Sequence, residues 1–355
     1  MKIRVNKRKW YTALGLFNGV LVLLAAVCAG VMVWLAGLSD WVDAADRWRG
    51  SSDMRFTQAA CYLPVDSPKT EEEVLSFRRT LEQSLTEASL EAPDGGSLYT
   101  DAYSASAPVT VTGDHGSAQV RAIGVGGNFF LFHPLVLRSG SYISGDDLMQ
   151  DRVVLDEELA WQLFGGPDVA GLTVQIGGRP YSVAGVISRE SDFATGEAYL
   201  DGAGMFLSYS ALYGLTEQDI TCYEIVLPNM VSGFGLGLVR DGFAVGTGDV
   251  VEVTGRYGLG RLLEVAGDFG LRSMRNNGVI YPYWENAVRL TEDYLALLLV
   301  LALVFSACPA VTILVLAVRL TVRTWRKVTE AVPAWIDGKV QQRRKAAYEA
   351  RRRVH

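Results

Sequence analysis

Few residues in this chain have types and spacings suited to chemistry. Cys61 and Cys222 sit in matching contexts, Cys61-Tyr62-Leu63-Pro64 and Cys222-Tyr223-Glu224-Ile225-Val226-Leu227-Pro228. Each reads as a strand that ends at a proline. If the strands are neighbours, a disulfide is one reading and two buried thiols the other. The histidines are His115, His133 and His355. None has a Cys, His or carboxylate neighbour at a ligand spacing, so no metal site is expected. Asp146-Asp147 and Asp156-Glu157-Glu158 pair carboxylates as acid–base machinery does. Acids also favour the positive end of a helix dipole, and that reading suits these positions better. Gly233-Phe234-Gly235-Leu236-Gly237 lacks the dinucleotide spacing. Neither a Gly-x-x-x-x-Gly-Lys-Ser/Thr loop nor a Gly-x-Ser-x-Gly elbow occurs. The chain therefore reads as non-enzymatic, with no cofactor and no catalytic residue.

The segment Tyr281-Pro282-Tyr283-Trp284-Glu285-Asn286-Ala287-Val288-Arg289-Leu290 says more. Tyr281, Tyr283 and Trp284 form an aromatic cluster of the kind that anchors a helix at a membrane interface. Glu285 and Arg289 are four apart, the spacing of a helical ion pair. One reading is a simple anchor. The other is a stalk that passes tilts of the following helix to a domain outside the membrane.

The elements that would position these residues start with two apolar runs, residues 10–38 and 294–318, which contain no Asp, Glu, Lys or Arg. A helix of roughly 20 residues crosses a hydrocarbon core of about 30 Å, so both runs read as transmembrane helices. Five basic residues and no acid precede the first run. Eleven basic and three acidic residues follow the second, so the flanks carry +13. The whole chain is −6, which leaves −19 between the runs. Basic flanks stay in the cytoplasm. Residues 1–9 and the tail 319–355 are thus expected inside, and residues 39–293 outside the cell membrane. A cleaved leader would have a shorter apolar core. Leu24-Ala25-Ala26-Val27-Cys28 resembles a lipoprotein box except at Val27. The basic tail beside a span is expected to meet lipid headgroups rather than nucleic acid. Pro309 is expected to kink the second span and free a carbonyl.

Between the spans the pattern is α+β. Trp41 and Trp48 suit a helix leaving the interface. A strand is expected at 56–63. A capped helix follows from Ser67-Pro68-Lys69-Thr70, with Val74, Phe77, Leu81 and Leu85 on its apolar face, and ends before Pro93-Asp94-Gly95-Gly96. Strands are expected at 107–111 and 119–125 around Gly113-Asp114, and at 151–155. A helix at 156–164 precedes a hairpin, 172–176 and 181–187, turning at Gly177-Gly178. Strands at 222–227 and 250–253 and helices at 232–240 and 258–267 complete the domain. Residues 284–297 are expected to run unbroken into the second span.

The order from Tyr142-Ile143-Ser144-Gly145-Asp146-Asp147 through Val153-Val154-Leu155, Ala160-Trp161-Gln162-Leu163-Phe164-Gly165, Val169-Ala170-Gly171 and Val174-Gln175-Ile176-Gly177-Gly178 to Tyr181-Ser182-Val183-Ala184-Gly185-Val186 resembles the extracytoplasmic core domain of MacB/FtsX-like ABC transporter permeases. The resemblance covers about 40–290 in arrangement, and its specific part is 140–190. It implies a porter-like half with an inserted β-rich half at about 112–215. These are fold residues: Gly165 and Gly166 stop a helix, and Gly185 lets a strand lie close to its neighbour. Family members typically have four spans and a cytoplasmic coupling segment; this chain has two spans and no evident match to that segment. The resemblance thus implies a permease-like subunit that works with a separate ABC ATPase and another permease subunit or a second copy. A membrane-anchored receptor or regulator of an extracellular partner is the alternative. A hydrolase has no candidate nucleophile, base and oxyanion set.

Overall fold

The computed structural model describes residues 7–38, 40–90, 92, 96–145, 147, 149–190, 192–198, 204–244, 248–269, 272 and 278–352. Pro93, Asp94, Gly95, Asp146 and His355, named above, lie outside them. The chain divides into two units, one of Met1–Met32 with Leu298–His355 and one of Val33–Leu297.

The first unit contains most of helix α1 (Lys7–Ala36) and the later part of a 70-residue helix, Tyr283–Arg352. Both helices are long and apolar enough to cross a membrane. Within this unit Asn18 Nδ2 donates to Thr312 Oγ1 at 3.1 Å, and Thr312 Oγ1 donates to the Cys308 carbonyl at 2.9 Å. A polar bridge of this kind gives the Asn18 amide N–H and the Thr312 hydroxyl a partner within an apolar helix pair. The helix is not interrupted at Pro309 and extends well past residue 318.

The second unit is a ten-stranded sheet with helices on both faces. After α1 come a short 3-10 turn, Asp40–Asp43, then α2 (Ala44–Arg49), β1 (Phe56–Tyr62) and α3 (Glu71–Glu87). Thr70 caps α3 reciprocally with Glu73, satisfying two backbone donors at its first turn. The expected apolar face of α3, Val74, Phe77, Leu81 and Leu85, is buried. A long hairpin follows, β2 (Thr100–Gly113) and β3 (Gly116–Gly127), then α4 (Phe129–Phe132), β4 (Leu137–Gly140), β5 (Arg152–Asp156) and α5 (Glu157–Phe164). Asp156 caps α5, accepting from Leu159 N, and Gly165 closes it in the left-handed region at φ +78°. Next are β6 (Thr173–Ile176), β7 (Arg179–Ile187), α6 (Phe193–Ala198), β8 (Gly204–Ser208), α7 (Tyr209–Thr216) and β9 (Cys222–Pro228). The unit closes with α8 (Phe234–Gly242), β10 (Asp249–Glu252), α9 (Leu259–Gly267) and the first turns of α10 (Tyr283–Arg352).

Strand order is β10-β1-β9-β2-β3-β8-β5-β7-β4, with β6 paired to the ends of β2 and β7. The β3–β8 and β5–β7 pairs are parallel and the rest antiparallel. Residues 112–215 supply the β8-β5-β7-β4 side of this one sheet. Every residue of β1 and of β9 is buried, as strands covered on both faces must be. One face packs Ala59, Cys61 and Leu63 against α3, α5, α7 and α8; the other packs Ala60, Tyr62 and Cys222 against α2, α4, α6 and the start of α10. A Cβ on Gly185 would lie 2.6 Å from the Ser141 carbonyl oxygen, which is why the β7–β4 edge takes glycine there.

Candidate functional site

The expected aromatic and charged segment lies at the first turns of α10, where it is packed into the sheet. Gly278–Pro282 lead the chain in, with Val279 bridged to Pro64. Proline at 282 disfavours helix at the preceding residue, so the helix starts sharply at Tyr283. Trp284, Glu285, Ala287, Val288, Thr291 and Glu292 are buried, Arg289 is partly so, and Tyr283 is half-buried. Glu285, Arg289 and Glu292 fall at i, i+4 and i+7, one stripe of the helix.

That stripe meets a guanidinium from elsewhere in the chain. Arg256 Nη1 and Nη2 donate to Glu285 at 2.6 and 3.0 Å, and its Nε and Nη2 donate to Glu292 at 2.9 and 3.2 Å. Glu285 also accepts from Arg289 Nε at 2.6 Å and from the Tyr62 hydroxyl of β1 at 2.9 Å. Arg272 bonds Glu292 and lies 3.6 Å from Asp293. Arg289 lies 3.7 Å above the Tyr281 ring and reaches Asp249 of β10, which also accepts from the Tyr281 hydroxyl at 2.6 Å. Three arginines thus face four carboxylates. Burial opposes the charge of Glu285, yet Arg256 and Arg289 together hold its carboxyl below its ordinary range. Burial likewise opposes the charge of Arg256, and Glu285 and Glu292 override it, keeping the guanidinium protonated. The Tyr62 hydroxyl is pushed well up, first by burial and then by the Glu285 charge.

A second buried pair adjoins the first. His133 Nε2 lies 2.6 Å from Glu224 Oε2 of β9. The His133 ring packs 4.6 Å from Trp284 and 4.5 Å from Phe129. Thus α4, β1, β9, β10 and the loop holding Arg256 all grip the first three turns of α10.

The sequence points to Tyr281, Tyr283, Trp284, Glu285 and Arg289 and to a helical Glu285–Arg289 pair; the structure has that pair at 2.6 Å and sets it within a larger, largely buried network. Arg256, Arg272, Asp249, Glu292, Tyr62, His133 and Glu224 were not expected in it. Their partners are 20 to 223 residues away in sequence, beyond any local spacing rule. The i+7 repeat of Glu285 and Glu292 beside buried Trp284 is the one local signal.

The cysteine pairing is also corrected. β1 and β9 are neighbours, but the register sets Cys61 opposite Tyr223 and Cys222 opposite Tyr62. The offset of one residue sends the two sulfurs to opposite faces of the sheet. Both are free thiols. Burial, aided by Asp249, pushes the Cys61 thiol up to about 12, and burial pushes Cys222 up as well. Neither is a nucleophile at neutral pH.

Among the described residues no group of three or more His, Cys, Asp or Glu is placed to hold a metal. Two open cavities, of about 320 and 230 Å³, are lined by other residues than the network, the first by Arg49, Arg55 and Asn229 among others, the second by α3 and α8. At the centre of the network Glu285 and Glu292 are sealed from solvent and bound by Arg256, while Asp249 and Asp293 at its margins are partly exposed. The network is suited to fixing a helix rigidly to a sheet.

A family profile described as the MacB-like periplasmic core domain matches residues 10–231. Among solved structures, the periplasmic region of MacB from Actinobacillus actinomycetemcomitans aligns at 17% identity and a TM-score of 0.41, covering 55% of this chain and 88% of that one. The extracellular domain of the noncanonic ABC-type transporter YknZ from Gram-positive bacteria aligns at 17% identity and a TM-score of 0.34, covering 50% and 87%. No curated protein matches. The first turns of α10 lie beyond the matched span.

Proposed function

The chain belongs to the family of the MacB-like periplasmic core domain, and from that premise we propose that it is a permease-like membrane subunit of an ABC transporter system. The two apolar helices anchor it in the cell membrane with both termini inside, and residues 39–293 form the extracytoplasmic domain. The domain transmits motion of the second span outward, or uses that motion to engage a substrate or envelope partner. The observation that carries this reading is the Arg256 network. A mere anchor needs no buried charges, because apolar packing of the same volume is as stable or more so. A guanidinium shared by two carboxylates fixes one orientation of α10 against β1 and β10, as a transmitting joint requires.

In this reading the chain performs no catalysis and depends on a separate ABC ATPase, with another permease subunit or a second copy completing the assembly. Two spans without internal charge do not line a hydrophilic path alone. Affinity purification of the full chain from native membranes, followed by mass spectrometry, tests this. Recovery of an ABC ATPase with a permease subunit supports it. Recovery of an extracellular protein, with no ATPase under mild detergent, replaces it with the receptor or regulator reading.

A further inference from the structure

The glycine-rich string Gly233-Phe234-Gly235-Leu236-Gly237 opens α8 and takes no part in the α10 network. Helix α8 packs beside α3 on one face of the sheet. The two approach closely at Gly242, where a Cβ would lie 2.7 Å from the Phe77 ring. At Gly237, by contrast, a Cβ would meet nothing within 4 Å, because this glycine opens onto the cavity of about 230 Å³ between the helices. Phe77, Leu81 and Leu238 supply the cavity's apolar lining, and Thr80, Ser84 and Asp241 its polar side chains. Phe77 and Leu81 are buried while Thr80 and Asp241 are exposed, so the apolar groups form the floor and the polar ones the rim.

The polar groups can only accept. The Thr80 hydroxyl donates to the Ser76 carbonyl at 3.2 Å, and the Ser84 hydroxyl donates to the Thr80 carbonyl at 2.9 Å. A hydroxyl has a single proton, so each oxygen keeps only lone pairs for a ligand. Gly237 N donates to the Gly233 carbonyl at 2.9 Å, and the other lining amides are spent inside their helices. Asp241 has no ion-pair partner among the described residues. It sits in the last turn of α8, where the helix dipole also favours a cation. One turn before Phe77 and one turn after Ser84 this side of α3 continues in two more acids. Glu73 is paired with Lys69 at 2.7 Å, and Glu87 accepts from Gln83 at 2.8 Å. Arg78 is held by Asp101. Arg79 and Arg240 are sequence neighbours of Thr80 and Asp241, a spacing that does not share a helix face. The lining therefore calls for an aliphatic stem that ends in a donor-only cation. Lysine has that form, with three donors, no acceptor and a flexible four-carbon stem. The volume is below the range of about 300–1,000 Å³ that encloses a whole small-molecule ligand, and it suits one side chain. The segment between the spans carries −19, which draws basic partners to it.

We infer that this cavity is the docking point for a lysine side chain of a protein partner. The lysine methylenes lie against Phe77, Leu81 and Leu238, and the ammonium donates to Asp241 and to the Thr80 and Ser84 oxygens. The inference rests on neither the membrane topology nor the transport role, so its failure leaves the permease reading standing. The test uses the full chain in phosphatidylcholine nanodiscs with carbon-13 leucine methyl groups, read by NMR at Leu81 and Leu238. The probes are acetyl-Gly-Lys-Gly-amide, the same peptide with norleucine, and pentylamine. The lysine peptide should shift both leucines at millimolar concentration, and Asp241→Asn should weaken it about tenfold, the worth of one charge-assisted bond. Gly237→Leu, which fills the cavity, should abolish the shifts. The exposed Asp241→Asn change keeps the test decisive if Gly237→Leu disturbs α8. Equal binding of the norleucine peptide overturns the inference, as does a lysine peptide that leaves Leu81 and Leu238 unmoved. Affinity unchanged by Asp241→Asn overturns the ammonium placement. Pentylamine binding more tightly than the lysine peptide overturns the protein partner in favour of a free amine.

Discussion

Arg256 and Glu285 meet through two hydrogen bonds, of 2.6 and 3.0 Å, with both side chains only 2% exposed. The pair joins the end of the β10 region to the first turn of α10. Removing Arg256 leaves the buried Glu285 and Glu292 short of one guanidinium, with only Arg289 and Arg272 to hold them. Arg256→Met is expected to destabilise the domain by about 3–5 kcal/mol. Arg256→Met with Glu285→Gln and Glu292→Gln is expected to recover part of that loss, because no uncompensated charge remains. Thermal unfolding of the full chain in detergent, followed by circular dichroism, measures both. A triple variant no more stable than the single one would show that packing, not charge, sets the cost.

The same pair makes stability depend on acid. The Glu285 carboxyl is held below its ordinary value of 4.5. A depressed folded value means that the stabilisation is complete above pH 4.5 and is lost as pH falls through the folded value. The difference in melting temperature between the parent chain and Glu285→Gln should therefore be constant from pH 7 to about 5 and shrink below it. A difference that grows as pH falls below 4.5 contradicts the assignment.

Cys61 and Cys222 should stay unlinked in oxidising buffer. Their sulfurs lie on opposite faces of the sheet, and both thiols are protonated and buried. Mass spectrometry after copper–phenanthroline treatment of the folded chain should find no peptide joining the two. Maleimide should modify them only after denaturation. A Cys61–Cys222 peptide from folded protein would contradict the register of β1 against β9.

Topology is checked at Ser97, which is exposed just before β2. An impermeant maleimide should label Ser97→Cys in intact cells. Labelling that requires lysis would place the domain inside and invert the proposed layout.

Legibility followed the range of the forces involved. Local patterns showed α3 through its cap and its Val74–Leu85 stripe, α5 through Asp156 and Gly165, and the β6–β7 hairpin through Gly177-Gly178. β8, Met205-Phe206-Leu207 between two flanking residues, was missed because a strand buried on both faces shows no alternation. The β2–β3 hairpin is longer than the sequence suggests, since Thr100–Ala105 is buried on both sides and likewise lacks a period of two. The matching contexts of Cys61 and Cys222 leave both a bridge between neighbouring strands and two buried thiols open; pairing register is a long-range property, and it is off by one for the bridge. In the α10 network the helix side was visible from Tyr281 to Arg289. Arg256, Asp249 and Tyr62 were not, because nothing local marks a guanidinium or a phenol as the partner of a distant carboxylate.

The proposed joint works only if α10 is stiff where it leaves the sheet. It is one helix from Tyr283 to Arg352, and its gripped part ends near Ala296. Leu297→Gly with Leu298→Gly places two flexible residues just after the grip, and each costs about 1 kcal/mol of helix propensity. That cost is too small to unfold a domain whose core lies elsewhere. In complex with its ATPase, the parent chain should show an ATP-dependent change in hydrogen exchange across residues 281–297. The double glycine variant should keep the complex and its ATP hydrolysis but lose that change in the domain. An unaltered response in the variant would mean that motion reaches the domain by another path, and Arg256 would then be a structural rivet only.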